Sequence, residues 1–163
     1  MIIGVVSDTH NNYKNINKIV SIFNNLSVEM VIHTGDITNI RALDHFKHLN
    51  CGLIGVFGNN DRFEKGLEET ALQNNFDFKQ PPSLISRNNR NIAIFHEPDS
   101  IDEFLVDNKD VDIVLHGHTH RYRKETLNQT LVFNPGESAG MVEGKNSIGL
   151  VDLKNLNIER IFF

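Results

Sequence analysis

The sequence predicts an α/β protein, and three observations lead to that prediction. Short runs of β-branched and other apolar residues recur along the chain, and each ends abruptly in polar residues. These runs are continuous rather than alternating, which is typical of strands buried on both faces in a sheet that helices cover. Between the early runs lie segments with apolar residues at helical spacing. At 163 residues the chain has the length of one domain, so we expect residues 1–163 to form a single domain.

Strands and helices alternate in the first two thirds of the chain. Five apolar runs are predicted to be strands, namely Met1–Val6, Met30–His33, Leu53–Phe57, Ile92–Phe95 and Val111–Leu115. Apolar residues at helical spacing predict helices over Tyr13–Phe23 and Ile40–Leu49. A shorter helix is predicted over Ser100–Val106, with Ser100 as its N-cap.

After His120 the pattern changes to successive short strands. The predicted strands are Arg123–Leu127, Thr130–Phe133, Ser147–Leu153 and Ile158–Phe162. Asn134-Pro135-Gly136 is a strong turn signal within this region. Two arrangements would bury these runs: one sheet extended by the C-terminal strands, or two packed sheets with helices outside.

Composition and charge argue against several classes of protein. Lys and Arg number 16 against 21 Asp and Glu, which gives a formal net charge of -5. We therefore expect no general nucleic-acid binding, which relies on clustered basic charge. No apolar run approaches the ~20 residues that a membrane-spanning helix needs, so no membrane association is expected. The single cysteine, Cys51, excludes an internal disulfide and a Cys-based zinc site, and it indicates a cytoplasmic protein.

Side chains that can bind a metal follow each of the five predicted early strands. The segments are Ser7-Asp8-Thr9-His10, Thr34-Gly35-Asp36, Gly58-Asn59-Asn60-Asp61, His96 and His116-Gly117-His118-Thr119-His120. In an open α/β sheet, ligands bind at the carboxyl ends of the strands, so we expect these side chains to meet there. Glycines 35, 58 and 117 would let the backbone approach a crowded centre without a Cβ in the way.

The donor types indicate which metals such a centre would hold. Two carboxylates, an amide oxygen and several imidazoles suit Mn²⁺, Fe, Zn²⁺ or Ni²⁺ and are too rich in nitrogen for Mg²⁺ or Ca²⁺ alone. Each motif by itself is weak, since D-x-H is common and G-D and G-N-N-D resemble ordinary turns. The five motifs together favour a metal site, because they occur in order along the chain and each lies at the end of a predicted strand. Seven candidate ligands exceed the needs of one ion, and two ions that share a carboxylate would use them all.

The ordered motifs resemble those of the calcineurin-like metallophosphoesterase superfamily, and most closely its small single-domain phosphodiesterases of archaea and bacteria. The family blocks are D-x-H, G-D, G-N-H-[DE], a lone His and G-H-x-H, and the resemblance extends from Asp8 to Gly136. It implies a four-layer α/β/β/α sandwich of two packed mixed sheets. It also implies two divalent transition-metal ions, manganese first, with nickel, iron or zinc as alternatives. The implied ligands are Asp8, His10 and His120 for one ion, Asn59, His96 and His118 for the other, and Asp36 as the bridge.

The activity that this resemblance implies is hydrolysis of a small phosphodiester. Two cations lower the pKa of a bound water, so that hydroxide is available near neutral pH for in-line attack on phosphorus. Asp36 would contribute as the bridging ligand. Asp61 would orient a ligating imidazole, and a plain turn carboxylate is the alternative for this residue.

Position 60 departs from the family pattern. The His at this place in the family motif is taken to protonate the leaving oxygen, whereas Asn60 cannot act as a general acid near neutral pH. General acid catalysis typically contributes ~10²–10⁴-fold, most for a poor leaving group. We therefore expect aryl or otherwise activated diesters to be cleaved readily and alkyl monoesters slowly.

A second function fits the same resemblance, namely a protein-binding scaffold with weak or no catalysis, like the retromer subunit of this fold. All seven ligand positions hold competent donors, which favours the enzyme because a scaffold can lose ligands freely. The exposed edge of a β-rich C-terminal half also allows a homo-oligomer.

Several further residues have open or supporting roles. Arg62 either meets a substrate phosphate or is solvated, and Glu137 stands where the family's N-P-G-S turn has Ser. His33 and His116 are expected to support the site rather than bind metal. Phe63–Pro82 is expected to form loops that contribute to specificity.

Overall fold

Eleven strands form the centre of the computed structural model, which describes all residues from Met1 to Phe163. They are β1 (Ile2–Val6), β2 (Met30–His33), β3 (Gly52–Val56), β4 (Asp77–Lys79), β5 (Ser83–Arg87), β6 (Arg90–Ile94), β7 (Ile113–Leu115), β8 (Arg123–Leu127), β9 (Thr130–Asn134), β10 (Ser147–Asp152) and β11 (Asn157–Phe162). Six strands form a first sheet in the order β11-β10-β1-β2-β3-β4. Five form a second sheet in the order β5-β6-β7-β9-β8.

Four α-helices flank the sheets. They are α1 (Tyr13–Asn25), α2 (Ile40–His45), α3 (Leu67–Gln73) and α4 (Ile101–Asp107), and a 3-10 helix over Phe46–His48 continues α2. Even the longest, α1 with 13 residues, is too short to cross a bilayer, and none of the helices has the length and apolarity of a membrane span.

Three apolar layers hold the architecture together. The first lies between the six-stranded sheet and α1, α2 and α3, where Phe23 and Phe46 are fully buried. The second lies between the two sheets and contains Ile3, Val5 and Phe133. The third packs α4 against the outer face of the five-stranded sheet. The helices thus lie outside two stacked mixed sheets, which confirms the predicted four-layer α/β/β/α sandwich.

The parallel strands of both sheets deliver their carboxyl ends to one place. In the first sheet, β1 to β4 are parallel, with Val6 paired to His33 and His33 to Gly55. In the second, β6, β7 and β9 are parallel, with Ile94 paired to Leu115. The polar segments that follow β1, β2, β3, β6 and β7 are therefore level with one another, as the carboxyl-end rule requires.

The structure selects one of the two arrangements that the C-terminal strands left open. β8 and β9 pair in the second sheet, whereas β10 crosses to the first sheet and lies antiparallel to β1. Each sheet thereby gains an antiparallel hairpin at one edge. The four C-terminal strands are thus divided between the two sheets, two in each.

The segment 63–82 differs from the expected loops. It contains α3 and β4, and β4 adds to the edge of the first sheet by pairing parallel to β3. β5, which follows directly, is a further unpredicted strand. The buried face of α3 consists of Leu67, Thr70 and Ala71, and a set with one polar and one small residue is too weak a periodic signal to predict a helix.

Candidate metal centre

The seven predicted ligands converge where the carboxyl ends of the two sheets meet. Backbone hydrogen bonds join their loops: Asp8 N–H donates to Gly35 O at 3.0 Å and His10 N–H donates to Asp36 O at 2.9 Å. Across the sheets, the backbone N–H of His118 donates to both carboxylate oxygens of Asp8, at 3.1 Å each. The loops after β1, β2 and β7 are therefore joined by backbone hydrogen bonds and by the Asp8 carboxylate.

The first donor group consists of Asp8, His10 and His120, whose ligand atoms lie within 4.8 Å of one another. The Nε2 atoms of His10 and His120 face each other at 3.4 Å, and His120 Nε2 is 3.6 Å from Asp8 Oδ1. Two imidazole nitrogens and a carboxylate oxygen aimed at one point are a typical partial coordination set for a divalent transition metal.

The second donor group forms around the side-chain oxygen of Asn59. His96 Nε2 lies 2.9 Å and His118 Nδ1 3.0 Å from Asn59 Oδ1. His96 Nδ1 donates to the backbone carbonyl of Thr34 at 2.9 Å. That bond directs Nε2 toward the centre, in the way that a hydrogen bond on the far nitrogen orients a metal-binding imidazole.

Asp36 lies between the two groups. Its Oδ2 is 4.0 Å from His10 Nε2 and its Oδ1 is 3.4 Å from His96 Nε2. Asn60 holds this carboxylate twice, donating its backbone N–H at 2.9 Å and its side-chain amide at 2.6 Å. Asp8 and Asp36 also lie within 4.8 Å of each other around His96, so each carboxylate faces both donor groups.

The charges of the centre suit cations. Burial by itself would lower the pKa of His96, but the hydrogen bond and charge of Asp36, together with the charge of Asp8, outweigh burial and raise it. Burial opposes ionisation of Asp36 as well, yet His96 and Asn60 hold its pKa well below the usual range. A buried pair of carboxylates that draws a proton onto a neighbouring imidazole favours positive charge at this place.

Backbone strain is present at most of the predicted ligands. Five of the seven have a left-handed backbone, with φ between 45° and 67°: Asp8, His10, Asp36, His118 and His120. None is glycine, and such residues cost on the order of 1–3 kcal/mol each. Strain of this kind persists only where surrounding contacts enforce it, and it clusters at functional sites.

None of the three glycines of the motifs has room for a side chain. A Cβ on Gly117 would collide with Ser7 Oγ and would lie 2.9 Å from Asp8 Oδ2. Gly35 has φ of 104°, and a Cβ there would lie 2.6 Å from His96 Nδ1. The expected close approach of backbone to a crowded centre is confirmed.

Asp61 occupies a different position from the one expected. Its buried carboxylate contacts no imidazole and instead accepts four backbone N–H groups, from Gly58, Asp36, Ile37 and Thr38, at 2.7–2.9 Å. Burial raises its pKa despite these bonds. Asp61 therefore joins the loops after β2 and β3, which carry Asp36 and Asn59, and this geometry corresponds to the turn-carboxylate alternative.

His33 and His116 are buried beside the centre, as expected for supporting residues. His33 Nδ1 accepts the Gly35 N–H at 3.1 Å, so its Nε2 carries the proton and donates to Thr9 Oγ1 at 3.0 Å. Burial, with a smaller contribution from the His96 charge, lowers the pKa of His33 to about 3. His116 Nδ1 faces Gly117 O at 3.1 Å, and burial lowers its pKa to about 4.

Sequence reasoning missed two polar residues that organise the site. Ser7 Oγ donates to Asp8 Oδ2 at 2.5 Å. The fully buried Asn134 donates to Gly117 O at 2.9 Å and to Thr119 Oγ1 at 3.2 Å, and thereby holds the loop that carries His118. The position of Ser7 next to Asp8 in the first motif is a signal that could have revealed its role. Asn134 lies in a turn motif, and the sequence carries no signal for its contact with the loop of His118.

The basic residues near the centre have distinct environments. Arg62 forms an ion pair with Glu97 at 3.1 Å, and both side chains are largely exposed. A cleft of about 530 Å³ opens beside His118 and is lined by Arg121 and Arg123. Arg123 is paired with Glu125.

Comparison with known proteins identifies the family. The sequence profile of the calcineurin-like phosphoesterase superfamily domain matches residues 1–156. The chain belongs to the calcineurin-like phosphoesterase superfamily. A curated relative, phosphodiesterase MJ0936 of Methanocaldococcus jannaschii, is 33% identical over 170 aligned positions, which cover 99% of this chain and 98% of the relative.

Solved structures of superfamily proteins and fold neighbours agree with the architecture. An archaeal phosphodiesterase superposes with a TM-score of 0.91 at 32% identity, and the match covers 100% of both chains. Vps29 from Entamoeba histolytica superposes with a TM-score of 0.70 at 19% identity, covering 100% of this chain and 99% of the other. At that identity, the Vps29 likeness shows the shared fold alone.

Proposed function

We propose that the protein is a metal-dependent phosphodiesterase that hydrolyses small phosphodiesters with two divalent ions. One observation carries this proposal: seven oxygen and nitrogen donors from five strand ends converge in two groups, with the Asp36 carboxylate between them. The similarity to the curated archaeal phosphodiesterase over nearly the whole chain supports the same activity.

In this proposal Asp8, His10 and His120 hold one ion, Asn59, His96 and His118 hold the other, and Asp36 bridges them. The mixture of nitrogen and oxygen donors suits Mn²⁺ first, with Ni²⁺, Fe or Zn²⁺ as alternatives. Two bound divalent ions would supply a nucleophile near neutral pH and offset charge on the phosphoryl oxygens. Asp8, Asp36 and His96 are buried, whereas His118 is exposed, so a substrate can reach the centre from the side of His118.

In this proposal Asn60 limits which leaving groups are tolerated. Its backbone and side-chain N–H groups both donate to Asp36, and the residue is exposed at the rim of the centre. An amide holds the carboxylate in place but has no proton to give at neutral pH. Esters whose leaving group departs as a stable anion are therefore the favoured substrates.

The competing function, a protein-binding scaffold without catalysis, rests on the shared fold with Vps29 and on no feature of this site. A scaffold has no need of a complete donor set or of strain at its ligands. We further propose a cytoplasmic location, which the single free cysteine supports. Self-association stays a prediction.

The decisive experiment is hydrolysis of a chromogenic bis-aryl phosphodiester by purified protein after chelation and after addition of Mn²⁺, Ni²⁺ or Zn²⁺. We expect turnover only with added metal. Asp36→Asn should lower it by more than ~10²-fold, because losing a ligand costs more than losing the outer partner of a ligand, which typically costs 10–100-fold. Asp77→Asn, on the exposed strand β4, is the matched control and should leave turnover unchanged. Bound metal without diester hydrolysis would favour the scaffold.

The same assay tests the role of Asn60. Asn60→His introduces a titratable donor, so we expect a rise in turnover of an alkyl phosphoester relative to the aryl diester, by up to ~10²-fold. Asn60→Gln, which remains an amide, is the control. Equal substrate ratios in the wild type and Asn60→His would show that position 60 has no proton-donating role.

A further inference from the structure

We propose that Glu137 positions His120 as a metal ligand by accepting a hydrogen bond from His120 Nδ1. This inference rests on the metal site of the proposed function and assigns a role to a residue outside its seven ligands. Glu137 would act through His120 and would touch neither the ion nor the substrate.

The Glu137 carboxylate is buried and directed at the far side of the His120 ring. The residue is 2% exposed, and its Oε2 lies 3.5 Å from His120 Nδ1. The other ring nitrogen, Nε2, faces Asp8 and His10 inside the first donor group. The imidazole therefore lies between a carboxylate on one side and the candidate metal position on the other.

His120 Nδ1 is a buried polar atom without a hydrogen-bond partner. If Nε2 binds a cation through its lone pair, the ring proton must reside on Nδ1. A buried N–H that lacks an acceptor costs about 1–3 kcal/mol. Glu137 Oε2 is a carboxylate oxygen within 3.5 Å, and a shift of a few tenths of an ångström would bring the pair into ordinary hydrogen-bond range.

The rest of the carboxylate is already committed to the backbone. Oε1 accepts the Val142 N–H at 2.8 Å, and Oε2 accepts the Met141 N–H at 3.2 Å. A carboxylate has acceptor capacity for a third donor, and a serine hydroxyl at this position would be too short to serve all three. A carboxylate behind a metal-binding imidazole also fixes the tautomer and the orientation of the ring.

Glu137 also holds the segment 138–146 in place through its bonds to Met141 and Val142. A control variant must distinguish this role from the positioning of His120. This segment is also held by α1: Asn12 donates to Ala139 O at 2.7 Å, and Asn15 donates to Ser138 O at 2.8 Å. The Asn15 side chain donates to Ser138 O and Asn146 Oδ1 and makes no hydrogen bond to His120 or Glu137. Asn15→Ala therefore loosens the segment while leaving the Glu137 carboxylate intact, which makes it the matched control.

The test compares the wild type, Glu137→Gln and Asn15→Ala by calorimetric titration of the metal-free proteins with Zn²⁺. We expect Glu137→Gln to weaken one of the two binding steps by about 10–100-fold, the usual effect of removing a partner that orients a ligand. In the Zn²⁺-loaded wild type, imidazole ¹⁵N–¹H spectra should show a slowly exchanging, downfield Nδ1 proton for His120. That signal should move upfield or disappear in Glu137→Gln, and Asn15→Ala should change neither readout.

Two results would overturn the inference: equal Zn²⁺ affinities for the wild type and Glu137→Gln, or equal losses in Asn15→Ala and Glu137→Gln. If Glu137→Gln does not fold, as judged by circular dichroism, Glu137→Ser carries the same comparison. A wild type that binds Zn²⁺ but hydrolyses no diester contradicts the proposed activity and leaves the Glu137 comparison intact. A wild type that binds no metal contradicts both.

Discussion

His33 and His96 are both buried at the candidate metal centre, yet their hydrogen-bond partners shift their pKa values in opposite directions. His33 accepts one bond and donates one, and the pKa of its ring falls to about 3. His96 faces acceptors on both nitrogens, with Asp36 on one side, and its pKa is raised. The sequence favoured His33 as a support, and the family resemblance implied His96 as a ligand, but only these contacts give the physical reason for their different pKa values.

The depressed pKa of His33 predicts acid sensitivity of the metal-free protein. The unfolded chain takes up a proton near pH 6.5, whereas the folded state does not until about pH 3. The free energy of unfolding is therefore fully retained above pH 6.5 and falls as pH drops below it, by up to about 1.4 kcal/mol per pH unit from this residue. His33→Asn keeps an acceptor for Gly35 N–H and removes the titrating group. The free energy of unfolding of this variant should therefore fall less steeply with decreasing pH, by that amount.

Urea denaturation of the chelated protein between pH 4.5 and 7.5 measures this slope. His48→Asn, an exposed histidine on the 3-10 helix, is the control and should follow the wild type. Parallel slopes for the wild type and His33→Asn would mean that His33 does not stay neutral in the folded state.

The contact between β1 and α1 shows how an element is placed by a missing side chain. A Cβ on Gly4, within β1, would lie 2.5 Å from the ring of Phe23, a fully buried residue of α1. Gly4 thus lets α1 pack closely against the first sheet. Along the chain, α1 follows the loop that carries Asp8 and His10. The spacing of apolar residues predicted the helix, but it did not show that a glycine in the preceding strand sets how closely the helix packs.

Gly4→Ala should therefore destabilise the fold. Overpacking of a filled core typically costs 1–3 kcal/mol, and we expect a loss of that size in urea denaturation. Gly52→Ala is the matched control, because Gly52 lies in a strand of the same sheet and has no atom within 4 Å of a Cβ. Equal stabilities for Gly4→Ala and Gly52→Ala would show that the β1–α1 contact adapts without cost.

Across the whole molecule, the proposed ligands are divided between the two sheets. Asp8, His10, Asp36 and Asn59 follow strands of the first sheet, and His96, His118 and His120 follow strands of the second. Bound ions would therefore connect the two sheets at their carboxyl ends, where strained backbone and buried carboxylates oppose folding in their absence.

Metal removal should consequently lower thermal stability. A ligand that binds only the folded state stabilises it by about 2.7 kcal/mol at 100 times Kd. For a domain of this size, 1 kcal/mol shifts Tm by about 2–4 °C. We expect added Mn²⁺ to raise the Tm of the chelated protein by roughly 5–10 °C, measured by scanning calorimetry. The Tm shift should be smaller in Asp36→Asn and equal to that of the wild type in Asp77→Asn. A wild-type Tm that is the same with and without metal would contradict the proposal that bound ions connect the two sheets.

The sequence by itself determined the early alternation of strands and helices. It also predicted the candidate ligands, because each lies within a few residues of an apolar run that ends abruptly and because the ordered motifs resemble those of the family. The tertiary structure alone decided that β10 and β11 join the first sheet, that 63–82 contains α3 and β4, and that Asp61 holds backbone amides instead of an imidazole. It also brought Glu137 to His120. These outcomes depend on contacts between side chains distant along the chain, and local periodicity carries no information about which distant partner a buried polar group will find.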